Sequence, residues 1–463
     1  MIDRAIALMV ILLISGCASM APQYERPAVP APKDWPIKIE TSNQSSSRDW
    51  RDLFPDPRLQ AMIAAALEHN RDLRIAVARV EEARSLYGVQ RADQLPNVNL
   101  TESQTALSLP SDVTLRPQAV ARRFDVNMGL LAFELDFWGR VASLSAAAKA
   151  NYLASESAQR AFQLSLIADV ADAYLALKEA EERTALARAT LEGRQETARM
   201  LTQRREVGLS GDLDVLAAEG LRESARAELA SLERQRGQAE NFLRVLIGAE
   251  RQDWPQGRSL ADQDFSPLVV AGVPAEVLTR RPDIIAAEQR LMAANANIGA
   301  ARAAFFPRIS LTATGGTASR ELSGLFDGGS GAWSFTPSIS LPIFSGGRNI
   351  ANLDLVQVRK NIAVVEYEKA IEQAFREVSD ALIARTQIAE QLAALLALER
   401  TQRQRRVLAE ARYTAGVSSF LEVLDAQRDE FNAQQSVIVA RRALLSTAAR
   451  LYKALGGDQQ GGQ

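Results

Sequence analysis

Gly208-Leu209-Ser210-Gly211-Asp212-Leu213-Asp214-Val215-Leu216 and Gly416-Val417-Ser418-Ser419-Phe420-Leu421-Glu422-Val423-Leu424 are two versions of one segment. They stand 208 residues apart, as Gly208 and Gly416 show, and share Gly, Ser, Leu, Val and Leu at matching places. The same offset joins Gly139-Arg140 to Gly347-Arg348, Val170 to Val378, Asp172 to Asp380 and Gly248 to Gly456. Further upstream the offset is 211: Asp72 meets Asp283, Arg79 meets Arg290, Gly88 meets Gly299, Pro96 meets Pro307 and Leu100 meets Leu311. It is 206 at Leu135 and Leu341, so turn lengths differ between the copies. A single offset held from 139 to 248 marks an internal duplication.

Breaker placement gives each copy its elements. No Pro occurs from 118 to 254 or after 342, and no Gly from 348 to 415. The order reads helix, two strands, very long helix, turn, long helix. A helix of ~68 residues at ~1.5 Å rise is roughly 100 Å long, and such a helix needs partners along its length. In the last helix Leu424, Phe431, Ile438, Leu445 and Tyr452 recur every seven residues, a coiled-coil seam. Arg428, Gln435 and Arg442 hold the companion positions, so the seam is narrow and the other face wet.

Four segments alternate as strands do. Trp333, Phe335, Pro337, Ile339, Leu341 and Ile343 oppose Ser334, Thr336, Ser338 and Ser340. Ile309, Leu311 and Ala313 oppose Arg308, Ser310 and Thr312. Phe124, Val126, Met128 and Leu130 alternate with polar residues, and the parity then flips to Leu131, Phe133, Leu135 and Phe137, which suggests a bulge or the end of a membrane part. A weaker strand lies near Val98 and Leu100. Alternation fits a transmembrane strand and a half-buried soluble sheet alike. Aromatics at the strand ends (Phe137, Trp138, Phe305, Phe306, Trp333, Phe344) resemble an interfacial girdle and favour the membrane. Four strands cannot close a barrel, since about eight are needed, and an open edge in lipid is forbidden. Strands in the membrane therefore demand an oligomer, of two chains or three. Pro337 sits awkwardly in such a ladder.

Charge is balanced, with 54 basic and 56 acidic residues, which gives no bulk attraction to nucleic acid. His69 and Cys17 are single. That excludes a His/Cys zinc cluster and an internal disulfide. There is no Gly-rich phosphate loop, and His69 reads as a solvated residue near a helix start. Neither a cofactor nor a metal is expected.

Arg4 precedes an apolar run from Ala5 to Ile14, too short to span a bilayer, and Ile14-Ser15-Gly16-Cys17 resembles a bacterial lipobox. Acylation of Cys17 would anchor the chain, each buried CH₂ contributing roughly 0.8 kcal/mol. Ala18 after the Cys implies sorting to the outer membrane. The expected divisions are a signal peptide at 1–16, a Pro- and Ser-rich extended tether at 17–57, a first repeat at 58–248, a linker at 249–281, a second repeat at 282–456 and a flexible tail at 457–463.

The lipobox, Pro22-Gln23-Tyr24 with Pro27, Trp50 to Asp56, Leu135-Asp136-Phe137-Trp138-Gly139-Arg140 and the paired Gly-x-x-x-x-Leu-x-Val-Leu segments resemble TolC-type outer-membrane efflux proteins, the lipoprotein NodT/OprM-like branch above all. The likeness spans essentially the whole mature chain. It implies a mainly α fold with a transmembrane β part: a TolC-like trimeric barrel, four β-strands and very long coiled-coil helices per chain, in two structural repeats. It implies a channel, not an enzyme, in the outer membrane and reaching into the periplasm. Its partners would be a homotrimer, outer-membrane lipid, a periplasmic adaptor (membrane fusion protein) and an inner-membrane pump of the resistance–nodulation–division class. Drugs and other small compounds would be expelled. On the same resemblance, Val207, Gly208, Leu209, Ala415, Gly416 and Val417 are the tips an adaptor grips. Tyr413, Glu422 and Asp425 line a closed periplasmic gate. Glu422 and Asp425 share a helix face at i, i+3. Ser418 stands where some relatives carry an Arg that tethers the gate. Plain helix turns and solvated helix-start acids explain the same residues without a channel. A type I-like secretion duct, a non-porous lipid-anchored coiled-coil scaffold and an envelope-glycan enzyme with paired carboxylates are the competing readings.

Overall fold

The computed structural model describes residues 19–30, 32, 34–35, 49–108, 121–249, 253–263, 265, 274 and 278–457. Cys17, with the lipobox reading it carries, lies outside the described residues. The elements, in chain order, are α1 Trp50–Leu53, α2 Pro57–His69, α3 Arg71–Ala92, β1 Val98–Leu107, β2 Ala121–Glu134, α4 Arg140–Glu206, α5 Asp212–Ile247, α6 Pro282–Ala303, β3 Arg308–Ser319, β4 Gly331–Ser340, α7 Arg348–Thr414 and α8 Phe420–Ala454. Both copies thus hold helix, two strands, a 67-residue helix and a shorter helix. The chain clusters into two compact units.

The first unit holds the chain up to Ala28, Arg79–Glu156 and Ala286–Tyr367. Its four strands form one antiparallel sheet in the order β1-β2-β3-β4. The register separates two rows. Ile309, Leu311 and Ala313 face Ile339, Pro337 and Phe335. Between them Ser310 faces Ser338 and Thr314 faces Ser334, with hydroxyls bonded at 2.7 and 2.6 Å. On β4 the apolar row is bare, Trp333 being 83% exposed and Ile339 71%, while Ile309, Leu311 and Ala313 of β3 are half-buried.

The parity flip in β2 is a bulge between Leu130 and Phe133. The extra residue brings Leu130 opposite Ala313 and Phe133 opposite Leu311, so one apolar row runs through both parities. Ala132 takes φ of 52° there, and its N–H donates to Thr312 Oγ1 at 3.1 Å. Pro337 also finds its place. Ala318 donates to the Ser330 carbonyl at 2.9 Å, which fixes the alternation of bonded and unbonded pairs along β3 and β4. Leu311–Pro337 falls on an unbonded pair, so the proline nitrogen points to the outer edge and costs the β3–β4 ladder nothing. The strand itself stops at Ser340, short of the expected Ile343, and Leu341-Pro342 leads into the turn before α7.

The segment Leu135–Arg140 is the corner between β2 and α4. Asp136 Oδ2 accepts from the Ala142 N–H at 2.7 Å, which caps α4. Trp138 stacks on Phe306 at 4.8 Å and donates through Nε1 to the Pro307 carbonyl at 2.8 Å.

The second unit holds Val29–Ala78, Ser157–Ile285 and the chain from Glu368. Trp50, Leu53 and Phe54 pack with Leu59, Ile63 and Tyr174 in its core. The end of the expected extended tether is therefore core: α1 buries Trp50 and Leu53 because apolar side chains there find Tyr174 and its neighbours. His69 is the last residue of α2 and stands two residues before α3 begins at Arg71.

Asp56, fully buried, is the hub of this core. It accepts from Tyr174 Oη at 2.7 Å, from Gln263 Nε2 and from the backbone N–H groups of Arg58 and Arg258 at 2.9 and 3.0 Å. Burial alone would raise its carboxyl; the donated bonds outweigh that and hold it below its ordinary value of 3.8.

The seam of α8 buries Leu424 and Tyr452 of the expected heptad but runs between them along smaller residues. Ala426, Ala433, Val437, Ala440 and Leu451 are buried, while Phe431, Ile438 and Leu445 are only half-buried. Small residues let the helix backbones approach, and the larger ones flank the contact. Gln435 is buried on that face, where Arg183 Nε donates to it, and so does not belong to the wet side.

Candidate functional site

Arg204–Leu209 and Arg412–Val417 close α4 and α7 with the same bonds. Gly208 donates to the Arg205 carbonyl at 2.9 Å and Leu209 to Arg204 at 2.8 Å; Gly416 donates to Tyr413 at 2.9 Å and Val417 to Arg412 at 3.0 Å. This pair of bonds requires a left-handed residue after the helix, and both glycines have φ of 74°. The sequence folds this way because only Gly takes that conformation without strain.

The turns carry apolar side chains into solvent. Val207 and Leu209 are each 68% exposed and Val417 66%. Ala415 and both glycines are exposed as well. Below the turns a core ties four helices together: Leu201 of α4, Val215 and Ala218 of α5, Ala409 of α7, and Phe420, Val423 and Leu424 of α8. The two copies of the repeated segment thus meet at one end of the second unit.

Tyr413 lies at the centre. Phe420 meets its ring at 4.8 Å and 65°, and the Arg204 guanidinium stands 5.5 Å from its centroid. Glu422 is exposed, with Arg412 Nε 3.7 Å from Oε1; Asp425 pairs with Arg428 at 3.1 Å on its own helix. The two acids therefore share a face, as their spacing predicts, but each has its own arginine. Deeper in the hairpin Arg405 reaches Asp429 at 2.6 Å, and Arg406 pairs with Glu430 and Glu410. Slight burial acts to raise the Asp429 carboxyl; the guanidinium bonds from Arg405 and Arg428 prevail and hold it below the usual range. Ser418 Oγ is buried without a hydrogen-bond partner, so it forms no tether here.

Sequence reasoning missed these arginines. A signal was present. Arg412 and Glu422 lie equally far either side of Val417, as do Arg405 and Asp429, the symmetry of a hairpin about that turn. The arrangement is electrostatic and mechanical: matched cationic and anionic side chains zip α7 to α8 beside an exposed apolar tip. Among the described residues no group of His, Cys, Asp and Glu is placed to hold a metal.

The Outer membrane efflux protein family model matches residues 62–249 and 273–457. The chain is 44% identical over 458 residues to the toluene efflux pump outer membrane protein TtgF of Pseudomonas putida, covering 96% of this chain and 94% of that one. It is 43% identical over 466 residues to the outer membrane protein OprJ of Pseudomonas aeruginosa, covering 99% and 96%. The open-state structure of the Neisseria gonorrhoeae MtrE outer membrane channel superposes with a TM-score of 0.87 at 41% identity, covering 95% of this chain and 98% of that one. The sheet with one bare apolar row and one hydroxyl row, the two 67-residue helices and the paired glycine turns are the features of a channel wall, and the chain belongs to the outer membrane efflux protein family, an efflux channel of the outer membrane.

Proposed function

We propose that three copies of this chain assemble into the exit duct of a tripartite efflux system, joined by a periplasmic adaptor and an inner-membrane pump of the resistance–nodulation–division class. Three sheets of four strands would make a twelve-stranded barrel, large enough to close where one sheet cannot. The open outer edges of β1 and β4 beside a bare apolar row carry this reading, because lipid tolerates neither an unpaired edge nor a lone sheet. The proposed organisation is a signal peptide at 1–16, a lipid-anchored segment from Cys17 to 57, repeats at 58–248 and 282–456 about a linker at 249–281, and a tail at 457–463.

The tips formed by Val207, Gly208, Leu209, Ala415, Gly416 and Val417 receive the adaptor. Their exposed apolar side chains support that role, since such surface at a loop end marks an interaction site. Tyr413, Glu422 and Asp425 form the gate, and threefold repetition turns each acid into a ring. Arg204, Arg412 and Arg428 each contact one of the gate residues, Tyr413, Glu422 and Asp425 in that order. The compounds expelled are small and include apolar solvents and drugs, in line with the toluene efflux named for TtgF.

The test is deletion of the coding sequence followed by susceptibility to solvents, dyes and drugs. Complementation with the full chain restores resistance, whereas complementation with Gly208→Asp or Gly416→Asp does not. Unchanged susceptibility to every class of compound after deletion overturns the efflux reading.

A further inference from the structure

In the first unit a groove of about 560 Å³ lies between α4, α6 and α7, a volume suited to a small organic molecule. Four arginines line it: Arg140, Arg290, Arg308 and Arg359, with Asn297 and Asn352 beside them. They come from three helices and a strand, so the cluster exists only in the folded chain.

The four are not alike. The Glu134 carboxylate accepts from Arg140 Nε and Nη2, both at 2.7 Å, and from Arg308 Nε at 2.8 Å. One carboxylate between two guanidinium groups leaves positive charge uncompensated, although Asp136 and Asp93 lie within the field of Arg140. Arg290 and Arg359 are exposed and have no hydrogen bond or ion pair to any described residue. Their donors are available, and the planar guanidinium suits a two-oxygen anion.

The side of the wall follows from two periodicities. On α6, Arg290, Asn297 and Ala301 share one face, while Glu288, Asn295 and Gly299 lie on the opposite one. The latter face holds the N-terminal segment: Arg26 pairs with Glu288 at 2.6 Å, and Asn295 donates to the Pro22 carbonyl at 2.7 Å. The groove therefore opens away from that segment. On the strands, Arg308 has the parity of Ser310, and Glu134 stands opposite Ser310. Both belong to the hydroxyl row, not to the bare apolar one. The groove thus continues the hydrophilic row from the end of the sheet onto the helices.

We propose that this groove is a binding station for organic anions, taking carboxylate or sulfonate groups through Arg290 and Arg359, with Arg140 and Arg308 supplying the field. The proposal rests on the duct reading, which makes the hydrophilic row the lining of the passage. Amphiphilic acids would pause there, and small inorganic anions would be enriched over cations.

Pyrenetetrasulfonate is the probe, its binding to the full-length detergent-solubilised protein followed by fluorescence anisotropy at low salt. The expected result is saturable binding that falls with ionic strength. Arg290→Gln with Arg359→Gln weakens it by at least about tenfold, the effect of losing one charge-assisted contact. The Arg290→Lys, Arg359→Lys pair keeps the charge but not the fork, so it binds between the wild type and the Gln pair and controls for folding. No binding to the wild type, or equal binding to the Gln pair, overturns the station. A second arm measures the reversal potential in planar bilayers under a KCl gradient. The Gln pair shifts it toward cation selectivity, and a value equal to the wild type counts against the station even where the duct conducts. Probe binding without any ionic conduction overturns the duct and leaves the site standing.

Discussion

Arg204 and Tyr413 join the two copies of the repeat at their matching turns, the guanidinium carbon 5.5 Å from the ring centroid. Each residue sits one turn before its left-handed glycine, Gly208 and Gly416. Phe420 holds the ring from another side, edge to face. These contacts are worth about 0.5–1 kcal/mol each. Tyr413→Ala removes both and is expected to raise single-channel conductance in planar bilayers, with little change in the heat-unfolding midpoint. Tyr413→Phe keeps the ring and stays near the wild type. Equal conductance in all three removes Tyr413 from the gate.

Two glycine substitutions separate conformational strain from collision. A Cβ added at Gly416 meets nothing within 4 Å, so Gly416→Ala suffers only the left-handed backbone, about 1–2 kcal/mol. A Cβ at Gly257 would collide with Tyr174 Oη and stand 3.0 Å from Arg58 Cδ. Tyr174 must move and give up its bond to Asp56. Gly257→Ala therefore lowers the unfolding midpoint more than Gly416→Ala does, and the reverse order contradicts the hub.

Asp56 makes that hub sensitive to acid. Its folded carboxyl titrates below 3.8, because four donated bonds prevail over burial. A depressed carboxylate contributes stability that is present above the unfolded value and lost as pH falls through the folded one. Tyr174→Phe removes one donor, costs about 1–2 kcal/mol near pH 7, and shifts the loss to higher pH. Denaturant unfolding of the two proteins from pH 7 down to pH 3 should show the gap closing at the acid end. A constant gap means that the hydroxyl stabilises by packing alone.

Much of this was legible from one sequence. A fixed offset exposed the duplication, and breaker-free runs gave helices whose ends the structure moves by a residue or so. The flip at Leu131 announced a bulge, because strand parity is strict and any insertion shows. Pro337 was opaque: its place depends on which pairs are hydrogen-bonded, and register belongs to two strands at once. The hub was opaque too. Asp56 bonds Tyr174 and Arg258 across 118 and 202 positions, and no local pattern links them. Between Leu424 and Tyr452 the α8 seam was misplaced by favouring large apolar residues, whereas close helix contact selects Ala433 and Ala440. Of the proposed gate, Glu422 and Asp425 were visible as an i, i+3 pair, whereas Arg412 left only its symmetric placement about Val417 as a signal.

The two rows of the sheet should respond oppositely to charge. Ile339 stands on the bare row at 71% exposure, so Ile339→Arg in a membrane costs about 2–4 kcal/mol if it lies near the midplane. Thr336→Arg, one row over, leaves the fold intact and alters conductance instead. Heat-modifiable mobility on gels reads the first effect and bilayer recording the second. Equal tolerance at both positions means that the sheet is not embedded in lipid.

Asp425 offers the sharpest test of the gate. Its partner, Arg428, is one turn away on the same helix at 3.1 Å, and both side chains are partly exposed. Such a pair contributes about 0.3–0.5 kcal/mol to the helix, so Asp425→Ala barely affects folding. In the proposed trimer, however, the three carboxylates would face one another around the axis, and removing them would change the field where ions enter. Asp425→Ala is expected to raise conductance and to weaken any block by divalent cations added on the periplasmic side. Arg428→Ala frees the carboxylates and should strengthen that block. Opposite signs from two residues that are partners in the same ion pair cannot arise from lost helix stability, which would move both variants in one direction. Shifts of the same sign would therefore assign the pair to structure and leave the gate to Tyr413 and Glu422.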